Sequence, residues 1–177
     1  TVEPKTTTTV SLLLPQTKVN QIDIVLGIDD SGSMADKQKI LAVAVPDLVN
    51  SLVNPACVDA DGNKVGTPDS PLAPCPKDTR REFEPSTDIH IGVLSTSIGA
   101  AGSGQCAADA ANPKGHMNDA GHLIARKLDG TTVATFGDHG FLAWNPEATT
   151  PAAGQHTSAP ALNADLKLMV LGAGDTG

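Results

Sequence analysis

The sequence predicts an α/β fold with at least one pair of parallel strands, and three stretches carry that prediction. Residues 22–28, Ile-Asp-Ile-Val-Leu-Gly-Ile, are apolar except for Asp23. A short run of this kind fits a central strand buried on both faces. Residues 34–53 have helical spacing, with Leu41, Val45, Leu48, Val49 and Leu52 at i, i+4, i+7, i+8 and i+11 on one stripe. Residues 88–97, Asp-Ile-His-Ile-Gly-Val-Leu-Ser-Thr-Ser, put Ile89, Ile91 and Val93 on one face of a second strand. Strand, helix and strand in that order imply a right-handed βαβ crossover.

Composition bounds the rest. The 177 residues suffice for one domain with a sizeable core. A net charge of −8 argues against a basic nucleic-acid footprint. The 17 Gly and 13 Pro require much of the chain to be loop. No run of apolar residues is long enough to span a membrane. Residues from Thr1 onward do not read as a basic-then-apolar export leader.

Taken in order, residues 1–20 read as an N-terminal extension. It has a flexible Thr-rich lead-in over 1–8 and an edge strand over 9–14 that Pro15 stops. In the first helix Ser33 is one candidate to cap the start and Asp36 suits the first turn. Pro46 removes a backbone donor inside the pattern, which predicts a kink or two shorter helices. Asn54-Pro55 ends the element. Residues 55–87 form a polar, loop-rich insertion. Cys57 and Cys75 bracket its Pro/Gly/Asp-rich part, where a disulfide would restrain the chain, and that pairing is favoured over free thiols. Cys106 is left to pair with another chain, with sequence beyond Gly177, or to stay free.

Residues 98–160 are too long for a plain connection and read as a second insertion with one or two short strands. Within it Phe141 and Trp144 are expected to form a small satellite core. Residues 161–171 return to helical spacing through Leu162, Leu166, Met169 and Val170, and Gly172-Ala-Gly174 ends that helix.

The chemistry concentrates where the first strand meets the first helix. Asp29, Ser31 and Ser33 in Asp29-Asp-Ser-Gly-Ser33 crowd one turn with oxygen-bearing side chains. Residues i, i+2 and i+4 of an extended turn can converge on one point, and hard divalent cations take oxygen ligands. The competing reading is an ordinary helix N-cap turn, which favours the same residue types. The strand before the motif, the helix after it and the parallel strand downstream favour the metal site.

The stretch Asp23-Ile-Val-Leu-Gly-Ile-Asp-Asp-Ser-Gly-Ser-Met34 resembles the first strand and metal loop of the von Willebrand factor A (VWA) domain family. Asp88-Ile-His-Ile-Gly-Val93 is similar to its second core strand. The resemblance implies a Rossmann-like, doubly wound sheet with a metal-ion-dependent adhesion site at the C-terminal ends of the strands. It implies Mg²⁺, alternatively Mn²⁺ or Ca²⁺, and an adhesive or assembly role without bond-making chemistry. It also implies two further ligands. Thr176, in Gly172-Ala-Gly-Asp-Thr-Gly177, matches the Thr of the second loop, with Thr96 as runner-up. No position matches the third-loop Asp. Residues 21–177 are therefore expected to be the N-terminal portion of such a domain, an incomplete fold finished by another chain or by a further C-terminal segment. The long loops and paired cysteines look most like exported bacterial members, which implies an extracellular or cell-surface location.

Weaker signals compete with this reading. Asp59-Ala-Asp61-Gly-Asn63 superficially resembles a calcium loop, but Lys64 and Ser70 stand where an EF-hand needs Gly and Glu. Asp175-Thr-Gly177 matches an aspartic-protease tripeptide without a second Asp. His90, His116, His122, His139 and His156 lack close ligand spacing. The leading expectation is cation-dependent protein binding, in which a partner donates an Asp or Glu carboxylate to a metal on Asp29, Ser31 and Ser33, with Thr176 as fourth ligand. The alternatives are a structural or self-assembling extracellular protein whose metal loop is vestigial, and last a metal-assisted hydrolase with Asp30 as base.

Overall fold

A computed structural model of the chain describes residues 21–97 and 119–175. The strand expected over 9–14, Cys106, His116 and Thr176 lie outside the described residues. The elements in order are β1 (Gln21–Ile28), α1 (Ala35–Val53), β2 (Cys57–Val58), β3 (Lys64–Gly66), β4 (Arg80–Arg81), β5 (Asp88–Ser95), β6 (Phe141–Trp144), β7 (Gln155–His156) and α2 (Ala159–Gly172). Short 3₁₀ turns cover Gly32–Met34 and Phe136–Asp138. The class is mixed α/β.

The main sheet runs β1-β5-β6-β7. As the βαβ reading required, β1 and β5 are parallel, in register from Gln21↔Asp88 to Ile28↔Ser95. β6 is antiparallel to β5 and β7 parallel to β6, so the sheet is mixed. Cross-strand neighbours Ile89↔Trp144 and Ile91↔Leu142 are all fully buried. They form one core with Val45, Val49 and Val53 of α1 and Leu162, Leu166, Met169 and Val170 of α2. The two helices also pack on each other.

Trp144 therefore belongs to the main core, with its indole N–H donating to the Ser86 carbonyl at 3.0 Å. This corrects the satellite-core expectation. Phe141 instead joins rings with His90, Phe136 and His139. Residues 141–144 and 155–156 are strands of the main sheet, so the second insertion supplies part of the framework itself.

Three other expectations change. The 22–28 run is an edge strand among the described residues, paired with β5 alone. Its alternate members Ile22, Ile24 and Leu26 pack half-buried against the core, while Val25 is 60 % exposed. Burial on both faces would need a layer packed on each face of the sheet, and among the described residues the face carrying Asp23, Val25 and Gly27 is exposed. Pro46 does not divide α1, which runs unbroken for 19 residues. Tertiary packing of Val45 and Val49 around the proline offsets the missing backbone bond. The buried stripe of α1 is Gln38, Ala42, Val45, Val49 and Val53, whereas Leu48 is exposed and Leu41 and Leu52 are half-buried.

The 55–87 insertion contains a small sheet of order β3-β2-β4, clamped by the Cys57–Cys75 disulfide with Cα atoms 5.8 Å apart. Arg81 completes it. Its guanidinium donates to Asn54 Oδ1 and to the carbonyls of Pro55, Ser70, Pro71 and Ala73. A loop rich in proline has few backbone partners of its own, and one rigid fork of donors satisfies several carbonyls at once.

Gly172, at the end of α2, lets that helix approach the 126–127 segment. A Cβ there would stand 1.8 Å from the Arg126 carbonyl oxygen. Gly172→Ala should therefore lower unfolding free energy by about 1–3 kcal/mol, despite the better helix propensity of alanine. Denaturant titration measures it, and an unchanged midpoint would contradict the close approach.

Candidate metal centre

The parallel register brings the C-terminal ends of β1 and β5 side by side, and the loops leaving them share hydrogen bonds. The Thr96 N–H donates to the Ile28 carbonyl at 3.0 Å. Beyond Ile28 the extended alternation continues for two residues. Asp29 turns to solvent and Asp30 inward, where it is 5 % exposed. The Asp30 carboxylate accepts from the Thr96 hydroxyl at 2.6 Å and from the Ser97 hydroxyl, and its own N–H donates to Thr96 Oγ1 at 3.2 Å. Asp30 is thus a tie between the two loops. Thr96, the runner-up ligand, is engaged with Asp30.

The structure brings Asp29, Ser31 and Ser33 together. Ser31 Oγ donates to Asp29 Oδ1 at 2.7 Å and lies 3.3 Å from Ser33 Oγ, and the Ser31 N–H donates to Asp29 Oδ1 at 3.0 Å. Adjacent vertices of an octahedron with Mg²⁺–oxygen bonds of about 2.1 Å are roughly 3.0 Å apart. The two oxygen spacings bracket that value. All three remain at least partly accessible. The Ser31 hydroxyl, then its amide, hold the Asp29 carboxyl below its usual range, with a smaller contribution from Thr96. The group is ionised at neutral pH.

Ser33 does not cap the helix. Neither the 3₁₀ turn nor α1 has a side-chain cap bond, which leaves the Ser33 hydroxyl beside Ser31. Thr176 lies outside the described residues, but the chain up to Asp175 reaches this loop. A Cβ on Gly32 would stand 3.5 Å from the Asp175 carbonyl oxygen. Gln38 Nε2 donates both to the Asp29 carbonyl, at 3.1 Å, and to the Gly174 carbonyl.

A second group of polar residues braces the same end of the sheet. Asp119 accepts from the Ser95 hydroxyl and from both terminal nitrogens of Arg126, and its N–H donates to the Ser97 carbonyl at 2.8 Å. Arg126 Nε donates to the Gly172 carbonyl at 2.8 Å, holding the end of α2. A cleft of about 230 Å³ opens beside the site, lined by Ile28, Met34, Ile40 and Leu41 with Asp29, Lys37 and Gln38.

Sequence reasoning missed Gln38, Ser97, Asp119 and Arg126. Only Gln38 left a signal, as the polar residue heading the buried stripe of α1. Asp59 and His90 behave as an ordinary turn residue and a surface group. Asp59 Oδ1 closes its loop by accepting from the Asp61 and Asn63 amides. His90 Nδ1 lies 2.9 Å from Asp23 Oδ1 on the sheet. Among the described residues no three His, Cys, Asp or Glu side chains gather as a metal site, and the Asp29 set has a single carboxylate with two hydroxyls. No helix among the described residues is long and apolar enough to cross a membrane. Comparison with family models found no match, nor did comparisons with curated proteins and with solved structures.

Because Asp30 ties the loops, Asp30→Ala leaves two hydroxyls without their acceptor. It should cost about 1–3 kcal/mol of stability. It should also speed amide exchange over residues 95–97 in the folded protein. Wild-type exchange rates there would contradict the tie.

Proposed function

We propose that this chain is a von Willebrand factor A-like module that binds a protein partner through a divalent cation, Mg²⁺ or alternatively Mn²⁺ or Ca²⁺. One observation carries the reading: an accessible carboxylate and two hydroxyls, spaced at 2.7 and 3.3 Å, sit on the turn where a parallel strand gives way to a helix. Open α/β sheets place ligands at this end of their strands. Asp29 would supply the charge and Ser31 and Ser33 neutral oxygens, with Thr176 as the fourth protein ligand. With a single carboxylate in the set, a bound cation would keep net positive charge and an open position suited to an Asp or Glu carboxylate of the partner.

The β1 edge, open among the described residues, supports a further part of the reading, completion of the sheet by another strand, from a partner chain or from a continuation of this one. The Cys57–Cys75 disulfide supports an exported, extracellular or cell-surface location. A metal-assisted hydrolase draws no support from Asp30, whose carboxylate is buried and holds two hydroxyls. A vestigial loop is the rival that matters, since Ser31 already satisfies Asp29 without an ion.

Two outcomes follow. Asp29→Ala should abolish Mn²⁺ binding in a calorimetric titration while shifting the melting temperature little, because Asp29 is exposed. Undiminished binding would assign the ion elsewhere, and no binding to the wild type would favour the vestigial loop. The lowered Asp29 pKa fixes the sign of the pH response. Protons compete only as pH falls below the ordinary Asp range of about 3.9. Mn²⁺ affinity should be flat between about pH 8 and 5 and fall below about pH 4. A midpoint near neutrality would implicate another group.

A further inference from the structure

Gln38 stands where the buried stripe of α1 calls for an apolar residue. It precedes Ala42, Val45 and Val49 on the same face and is 4 % exposed. A buried carboxamide is costly unless its hydrogen bonds are made. The two N–H bonds of Nε2 are accounted for, one to the Asp29 carbonyl and one to the Gly174 carbonyl. These acceptors are far apart in sequence. One belongs to the residue whose carboxylate heads the candidate metal loop. The other lies two residues before Thr176.

Methionine in place of Gln38 would fill similar volume with no polar group to satisfy. What it would not do is join the two loops. The segment after α2 is already held on one side, by Arg126 Nε on the Gly172 carbonyl. Gln38 supplies the second hold, nearer the metal loop, where a Gly32 side chain would meet Asp175.

We propose that Gln38 is a positioning residue of the metal centre: its buried carboxamide ties the Asp29 backbone to the Gly174–Asp175 segment, and so fixes the loop that carries Asp29, Ser31 and Ser33. The proposal rests on the metal-binding reading above. It makes the affinity of the site depend on a helix residue that touches no ligand oxygen of the Asp-x-Ser-x-Ser turn.

The test is a Mn²⁺ titration of the full chain as wild type, Asp29→Ala and Gln38→Met, with a thermal melt of each. The expected result is a Gln38→Met protein that melts within a few degrees of wild type. Its Mn²⁺ dissociation constant should be raised at least tenfold. Equal affinity in wild type and Gln38→Met, with binding lost in Asp29→Ala, overturns the positioning role alone. Absence of Mn²⁺ binding in wild type overturns the metal reading and this proposal with it. If Gln38→Met does not fold, hydrogen exchange on the wild type decides. Saturating Mn²⁺ should slow exchange at the amides of residues 172–175, and no slowing overturns the proposal.

Discussion

The in-register parallel pairing of β1 with β5 is the constraint on which the rest of the molecule depends. Ile28↔Ser95 is the last pair of that ladder. Because the strands are parallel, both chains leave the sheet at the same end, and the next residues of each must share one small volume. Asp30 goes inward and accepts two hydroxyls from the loop after β5. Asp29, one residue earlier, is left outside with Ser31 and Ser33. An antiparallel partner or a one-residue slip would separate the two loops or exchange the faces of Asp29 and Asp30.

The core explains how α2 reaches the same place. Leu162, Leu166, Met169 and Val170 are fully buried against the sheet and α1. That packing directs the C-terminal end of α2 toward the ends of the strands, where Gly172 permits contact with the 126–127 segment. Arg126, itself fixed by Asp119, and Gln38 then hold the chain that follows. Each of these groups is satisfied mainly by its neighbours in the network, so the end of the sheet is braced before any ion is considered.

Much of this was readable from residue order, and what was not has physical causes. The helix over 161–171 was evident because all four of its spaced apolar residues are buried. β1 and β5 were evident from short apolar runs, but burial on both sides of β1 was not fulfilled. An apolar run records what a strand prefers and not whether a layer covers each of its faces. Pro46 does not split α1 into two shorter helices, because local propensity yields to packing once both flanking turns are anchored. The roles of Arg81, Asp119 and Arg126 are set by carbonyls and carboxylates distant in sequence, and no local pattern announces them. Local preference allows Ser33 either a cap or a place in the metal loop, and its hydroxyl lies beside Ser31. Thr176 rests on its Gly-rich context alone and lies outside the described residues, which meet the Asp29 loop at Asp175.

The central claim is that Asp29, Ser31 and Ser33 hold a divalent cation. Anomalous X-ray diffraction from crystals grown with excess Mn²⁺ tests it most directly. The account predicts one strong anomalous peak within about 2.0–2.3 Å of the Ser31 and Ser33 hydroxyl oxygens, with Asp29 bound directly or through water. Well-ordered density for the loop with no anomalous peak beside it would contradict the account.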